Sequence, residues 1–265
     1  MQYKNFITGI LRDASKIATD NFGKVPGYAK KEDKNQVLTK TDLEIGDFLV
    51  GKIHENYPTH NIIDEEAGIV DNKSKFTWVV DPIDGTSNFA NGIPMYGIMV
   101  ALLEKDQPVA GGIAQPSFSE IFYAEKNQGA FCNDTVIRVS QEKELINSLV
   151  AYGIDGHQEN PKFTEDECSL LSKIVLKIRN LRASNSCYDF TAVATGKYGA
   201  YLNQTSKIWD NVAPQIIIEE AGGIYTDFRG KPIDYSDPIS KASNNFIYVA
   251  AAPEIHKQLL AIILA

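Results

Sequence analysis

Residues 76–89 constrain this chain more than any other stretch. Phe76-Thr77-Trp78-Val79-Val80 is short, apolar and rich in strand formers, which predicts a buried strand. It runs directly into Asp81-Pro82-Ile83-Asp84-Gly85-Thr86-Ser87-Asn88-Phe89. Two carboxylates three residues apart at the carboxyl end of a buried strand suit a hard cation such as Mg²⁺. Pro82 fixes the backbone and removes an amide hydrogen, and Gly85 lets the backbone come close to a ligand. Gly85-Thr86-Ser87 can open a short helix whose free N–H groups receive phosphate oxygens. A cation site beside an anion receptor points to phosphate ester chemistry. The same letters also describe a solvated turn, since Asp, Pro and Gly are common turn residues.

The rest of the sequence limits the setting. Its 265 residues carry a net charge of −8, with 43% hydrophobic and 23% charged residues. That is a globular composition with enough length for a large core, in one domain or two closely packed halves. The acidic balance argues against direct nucleic-acid binding, which usually needs a basic face. No apolar run reaches the roughly 18 residues needed to span a bilayer. The charges within MQYKNFITGILRDASK lead us to expect no signal peptide. Cys132, Cys168 and Cys187 are scattered and odd in number, reading as reduced thiols of a cytoplasmic protein. Three glycosylation-type triplets are accidental in that setting. His54, His60, His157 and His256 show no metal-ligand spacing and read as surface or packing residues.

Periodicity predicts helices over 3–22 and from Thr41 to just before Pro58, with a mobile loop or hairpin over 24–40. Strands follow at 62–63, 76–80, 97–103, 109–114, 120–124 and 130–132, read as an antiparallel meander. Beyond about residue 148 strands and helices alternate. Strands are expected at 149–152, 200–202 and 246–251, and helices at 164–178, 187–196, 210–221 and 253–264. In the first of those helices Cys168, Leu171, Ile174, Val175 and Ile178 are expected inward. A soft boundary near 146 separates an N-terminal α+β half (1–146) from a C-terminal α/β half (147–265), both sharing one core.

Three further acidic sites stand out, each with an ordinary alternative. Asp64-Glu65-Glu66 follows a short apolar strand, although adjacent acids usually make a solvated turn. Asp210 in Ile208-Trp209-Asp210 opens an apolar helix, where Asp is a favoured N-cap. Asp42 in Thr39-Lys40-Thr41-Asp42 can simply serve the positive end of the second helix. The chain has no dinucleotide fingerprint, no GxSxG, and Thr195-Gly196-Lys197 lacks the surroundings of a phosphate loop.

Together these segments resemble the inositol monophosphatase family of Mg²⁺-dependent, lithium-sensitive phosphatases. WVVDPIDGTSNF resembles its main signature, and Ile208-Trp209-Asp210 with Ile218-Glu-Glu-Ala-Gly-Gly223 its C-terminal one. Asp64-Glu65-Glu66 matches the Gly-Glu-Glu element with Asp64 in place of Gly. Thr39-Lys40-Thr41-Asp42, Gly129–Asn133 and Ala192–Gly196 also match, and the order holds from the first helix to the last.

The resemblance implies a mixed α/β fold, a layered αβαβα sandwich with its cleft between the halves, and commonly a homodimer. It implies two or three Mg²⁺ held by Glu65, Asp81, the Ile83 carbonyl, Asp84 and Asp210. An activated water would attack phosphorus, Thr86 with Asp42 behind it would help take the proton, and the Gly85 and Thr86 amides would hold phosphate. The loop 30–40 would lie over the cleft and order as metal and substrate bind. Ser184, Asn185, Ser186 and Asn203 would line the alcohol pocket beside Asp84 and Asp210. Inositol-binding members carry Glu where this chain has Asn203, so the pocket is expected to discriminate weakly among polyols. Inositol 1-monophosphate is the default substrate. A 2′-phosphatase acting on NADP(H), or a dual-specificity enzyme, is the main alternative. Fructose 1,6-bisphosphate, 3′-phosphoadenosine 5′-phosphate and a regulatory binding role follow it.

Overall fold

The structure is a computed structural model that describes residues 1–30 and 37–265. The first helix, α1 (Lys4–Asn21), buries Ile7, Ile10, Leu11, Ala14 and Ala18 along one stripe. Strands β1 (Tyr28–Ala29) and β2 (Val37–Leu38) pair antiparallel, so the flanks of the expected loop form the hairpin alternative. The remainder of the expected lid, residues 31–36, lies outside the described residues. Helix α2 (Lys40–Asn56) starts at a Thr39 N-cap and buries Ile45, Leu49 and Ile53.

An eight-stranded sheet follows, built from β3 (Asn61–Asp64), β4 (Gly68–Val70), β5 (Phe76–Asp84), β6 (Gly97–Glu104), β7 (Gln107–Gln115), β8 (Glu120–Glu125), β9 (Ala130–Cys132) and β10 (Thr135–Val136). The short helix α3 (Thr86–Ala90) leaves the end of β5. From β5 to β10 the sheet is the expected antiparallel meander, but β3 pairs parallel to β5. The second half supplies β11 (Leu149–Gly153), α4 (Pro161–Val175), β12 (Asn180–Arg182), α5 (Cys187–Ala194), β13 (Ala200–Ser206), α6 (Ile208–Glu220), β14 (Ile224–Thr226), β15 (Phe246–Ala251) and α7 (Pro253–Ile263). Its five strands form one sheet in the order β12-β11-β13-β15-β14.

Period-two alternation explains the layering. Trp78 and Val80 point into a core with Ile7, Leu11, Ile45 and Leu49 of α1 and α2. Val79, with Met99 and Ile113, points the other way into a core with Val212, Ile216 and the second sheet. Helix α6 thus packs between the two sheets, beside α5, with α7 against β15 and α4 on the outside. The result is the expected αβαβα sandwich. One core draws on both sides of residue 146, while each sheet takes its strands from one side only; on that ground we propose the division at 146.

Helix α4 departs from the expected inward set. It ends at Val175, Cys168 and Val175 are exposed, and Ile178 is buried beyond the helix. Pro161 at its first turn sets the start three residues earlier than expected.

Candidate active site

A strand turns successive side chains to opposite faces, so Asp81 and Asp84, an odd number apart, should diverge. They do not, because the ladder slips between them. Asp81 faces Met99 and Asp84 faces Gly97, so β5 carries one residue more than β6 across this stretch. Pro82, which cannot donate to a ladder, sits inside the slip. The extra residue brings both carboxylates to one side, as bulges beside functional sites do. Asp84 Oδ2 accepts the Cys187 N–H at the start of α5.

Asp210 reaches the same point from the first turn of α6. It stands at the third helical position, not at the N-cap of its ordinary alternative, and accepts the Lys207 N–H at 2.5 Å. One ligand atom from each of Asp81, Asp84 and Asp210 lies within 4.8 Å of the others. Burial pushes Asp84 and Asp210 up to about 7, with neighbouring acids adding to the rise. Burial, then Glu65, Asp84 and Asp210, push Asp81 well above the carboxylate range. Asp81 is 1% exposed and its Oδ1 has no hydrogen-bond partner. Such an oxygen among like charges is costly unless a cation completes it. The all-oxygen donor set and the orphaned atom fit a hard divalent ion.

Glu65 borders the same cavity but is not one of that close trio. Asp64 shapes its turn, accepting the N–H groups of Glu66 and Ala67 at 2.8 and 2.6 Å. An Asp at the position of the family's Gly therefore has a structural task. Lys30 Nζ lies 2.8 Å from Glu65 Oε1 and 2.5 Å from Glu66 Oε1. Burial and Asp210 raise the Glu65 pKa to about 8, against the pull of Lys30. Burial also works against the ammonium, yet the two glutamates hold its pKa above the ordinary lysine value. The motifs contain no hint of this pair.

At the end of β5, Thr86 Oγ1 lies 2.9 Å from Asp42 Oδ1 and 2.8 Å from the Ile83 carbonyl. Asp42 Oδ2 accepts the Thr39 N–H at 2.9 Å and the Thr39 hydroxyl at 2.5 Å, closing the capping box of α2. Burial raises the Asp42 pKa, and the hydrogen bonds from Thr39 and Thr86 oppose the rise. Gly85 has φ 78°, and a Cβ there would lie 2.9 Å from Ser186 Cβ. No other residue fits that left-handed, crowded position without strain.

The far side of the cavity carries Ser184, Asn185, Ser186 and Asn203 as expected, and their bonding narrows what each can do. Ser186 is the N-cap of α5, accepting the Tyr188 N–H, so its hydroxyl is not simply a free adaptable group. Asn203 Oδ1 accepts the Thr205 N–H at 2.6 Å inside the bulge of β13, which commits its acceptor and leaves its amide as a donor. Sequence reasoning missed Asp189, which is fully buried and accepts the N–H groups of Ser184 and Asn185 at 3.0 and 3.2 Å. Burial lifts its pKa to about 6. It also missed Asn88, whose amide ties α3 to the Ser184 carbonyl at 2.9 Å, and Asp155 on the cavity wall.

Known proteins resemble this chain along nearly its whole length. The model of the inositol monophosphatase family matches residues 2–264. An inositol monophosphatase of Mesembryanthemum crystallinum is 33% identical, with 83% of this chain and 85% of that protein aligned. The Nus factor SuhB of Pasteurella multocida is 30% identical over 88% and 87% of the two chains. The solved structure of a Thermotoga maritima IMPase superposes with a TM-score of 0.87 at 27% identity, covering 100% of this chain and 97% of that one. With the match running almost end to end, in sequence as in fold, the chain belongs to the inositol monophosphatase family and is a phosphatase.

Proposed function

We propose that the protein is a Mg²⁺-dependent phosphomonoesterase whose first substrate is inositol 1-monophosphate. The meeting of Asp81, Asp84 and Asp210 around an orphaned carboxylate oxygen carries the reading. These three, with Glu65 and the Ile83 carbonyl, would hold two or three Mg²⁺. Bound Mg²⁺ would offset their charge, orient phosphate oxygens and acidify a bound water.

The chain's own groups supply the rest. Asp42, raised by burial and 2.9 Å from Thr86 Oγ1, draws a proton through that hydroxyl from the attacking water. The Gly85 and Thr86 amides, at the start of α3, hold the phosphate. Asp84 and Asp210 orient the ester beside the pocket of Ser184, Asn185, Ser186 and Asn203. Water is taken as the nucleophile, and the thiol beside Asp84 is unsuited to replace it. Cys187 is buried, and burial and Asp84 raise its pKa well above the thiol range, so it is not a thiolate at neutral pH.

A second reading, hydrolysis of the 2′-phosphate of NADP(H), rests on Asn203. An uncharged residue there admits a bulkier, more anionic leaving group than an acid would. The remaining expectations stand as proposals from the resemblance and the composition: a cytoplasmic homodimer, with small phosphorylated substrates as partners and no direct nucleic-acid or membrane binding. Among the described residues no helix is long and apolar enough to cross a membrane.

Phosphate release from inositol 1-phosphate, NADP⁺, fructose 1,6-bisphosphate and 3′-phosphoadenosine 5′-phosphate, with and without Mg²⁺, tests the reading. Mg²⁺-dependent release, fastest from inositol 1-phosphate, is expected. Equal release in excess chelator would contradict the metal requirement, and faster release from NADP⁺ would favour the second reading.

A further inference from the structure

Two stretches far apart in sequence run side by side, in opposite directions, along the cavity. Asp84 Oδ2 accepts the Cys187 N–H, and a Cβ at Gly85 would lie 2.9 Å from Ser186 Cβ. Asn88 Nδ2 donates to the Ser184 carbonyl at 2.9 Å. The first stretch carries one acid of the trio and the amides assigned to phosphate. The second carries the turn assigned to the alcohol. Where the alcohol sits relative to phosphorus is therefore set along this seam.

Asn88, half-buried on the cavity wall, makes the seam's side-chain tie. Its amide has two N–H donors. They serve two backbone carbonyls, Met95 at 2.8 Å and Ser184 at 2.9 Å. Met95 lies on the approach to β6, so one side chain joins α3, that approach and the turn. The turn is gripped from the other side as well. Asp189 Oδ2, fully buried on α5, accepts the N–H groups of Ser184 at 3.0 Å and Asn185 at 3.2 Å. The peptide between Ser184 and Asn185 is thus held at both ends, its carbonyl by Asn88 and its N–H by Asp189. That grip fixes Asn185 in the left-handed region, φ 54°, which Asn tolerates better than most residues.

We propose that Asn88 is a positioning residue for the leaving group. It acts through the Ser184–Asn185 peptide, fixing the alcohol pocket against the phosphate so that the ester bond lies in line with the attacking water. The inference rests on the phosphomonoesterase reading and deepens it. A polyol leaves as a poor leaving group, and its departure depends on placement. A misplacement of about 1 Å can cost about 10²-fold in rate. An activated phenolate needs far less help, and its flat ring makes none of a polyol's hydroxyl contacts. Loss of the Asn88 tie should therefore fall unevenly on the two kinds of ester, whereas a merely structural loss would fall on both alike.

The test compares the parent with Asn88→Ala on inositol 1-phosphate and p-nitrophenyl phosphate at one saturating Mg²⁺ concentration. We expect the fall in kcat to be about 10-fold larger for inositol 1-phosphate than for p-nitrophenyl phosphate. Equal falls on the two substrates would overturn the positioning role while leaving the phosphatase reading intact. No release from either substrate by the parent would overturn both. Should Asn88→Ala fail to fold, Asn88→Ser keeps one donor for the two carbonyls. A loss about 3-fold larger for inositol 1-phosphate in that variant supports the role, and equal losses overturn it.

Discussion

The hydroxyl of Thr86 sits 2.9 Å from Asp42 Oδ1, and the other Asp42 oxygen closes the capping box of α2. One buried carboxylate therefore both starts a helix and stands behind the hydroxyl we assign to proton transfer. The two roles separate by substitution. Asp42→Asn keeps an acceptor for the Thr39 N–H, so its thermal midpoint should fall by only a few degrees. Its kcat should fall about 10²-fold or more, since the base is gone. Thr39→Ala should do the reverse, lowering stability by about 1 kcal/mol with a smaller change in kcat. Thermal melts and steady-state kinetics on both variants check this; equal kcat losses would mean that Asp42 acts only through the helix.

The buried acids make stability depend on pH in a definite direction. Asp84 and Asp210, raised to about 7, and Asp81, also raised by burial, hold protons in the folded state that the unfolded chain has released above about pH 4. Asp64 and Asp189, each raised to about 6, act with the same sign. Folding is thus linked to proton uptake, and stability falls as pH rises from about 4 through about 7. In excess chelator the thermal midpoint should drop between pH 5 and pH 8. Saturating Mg²⁺ should raise it, and by more at pH 8 than at pH 5, because ions compete with those protons. A midpoint in chelator that rises over this range would contradict the assignment.

Lys30 is the internal counter-ion of the two glutamates, 2.8 Å from Glu65 and 2.5 Å from Glu66. An ammonium on Glu65 opposes a second cation there. Lys30→Met should tighten Mg²⁺ binding about 5-fold or more and lower the stability of the metal-free protein, because breaking a partly buried pair leaves charge less well compensated. Titration calorimetry and chelator melts read the two effects. Weaker Mg²⁺ binding in the variant would show that Lys30 supports the metal site instead of competing with it.

Much of this was legible because the motifs couple local and tertiary requirements. The run into Asp81-Pro82-Ile83-Asp84-Gly85-Thr86 announces a strand, a break and a glycine turn within a few residues. The slip that turns Asp81 and Asp84 to one side was not legible, since it depends on the register against β6. Strands of two or three residues, such as β10, β12 and β14, carry too little pattern to show a period. Asp189 and Lys30 lie in no motif and matter only through what the fold sets beside them. The sequence places Asn203 in the alcohol pocket but says nothing of what its amide already bonds. Its bond to the Thr205 N–H commits the amide's acceptor to the bulge of β13.

Asp84→Asn offers the sharpest measurement, since it keeps the side chain's shape and removes one charge from the acidic trio. At saturating Mg²⁺, phosphate release from inositol 1-phosphate should fall about 10²–10³-fold, the usual loss for one preorganised electrostatic group. Its Mg²⁺ affinity, measured by calorimetry on the same sample, should weaken as well. Release within a few-fold of the parent, with Mg²⁺ affinity unchanged, would show that the meeting of Asp81, Asp84 and Asp210 is not where the chemistry happens.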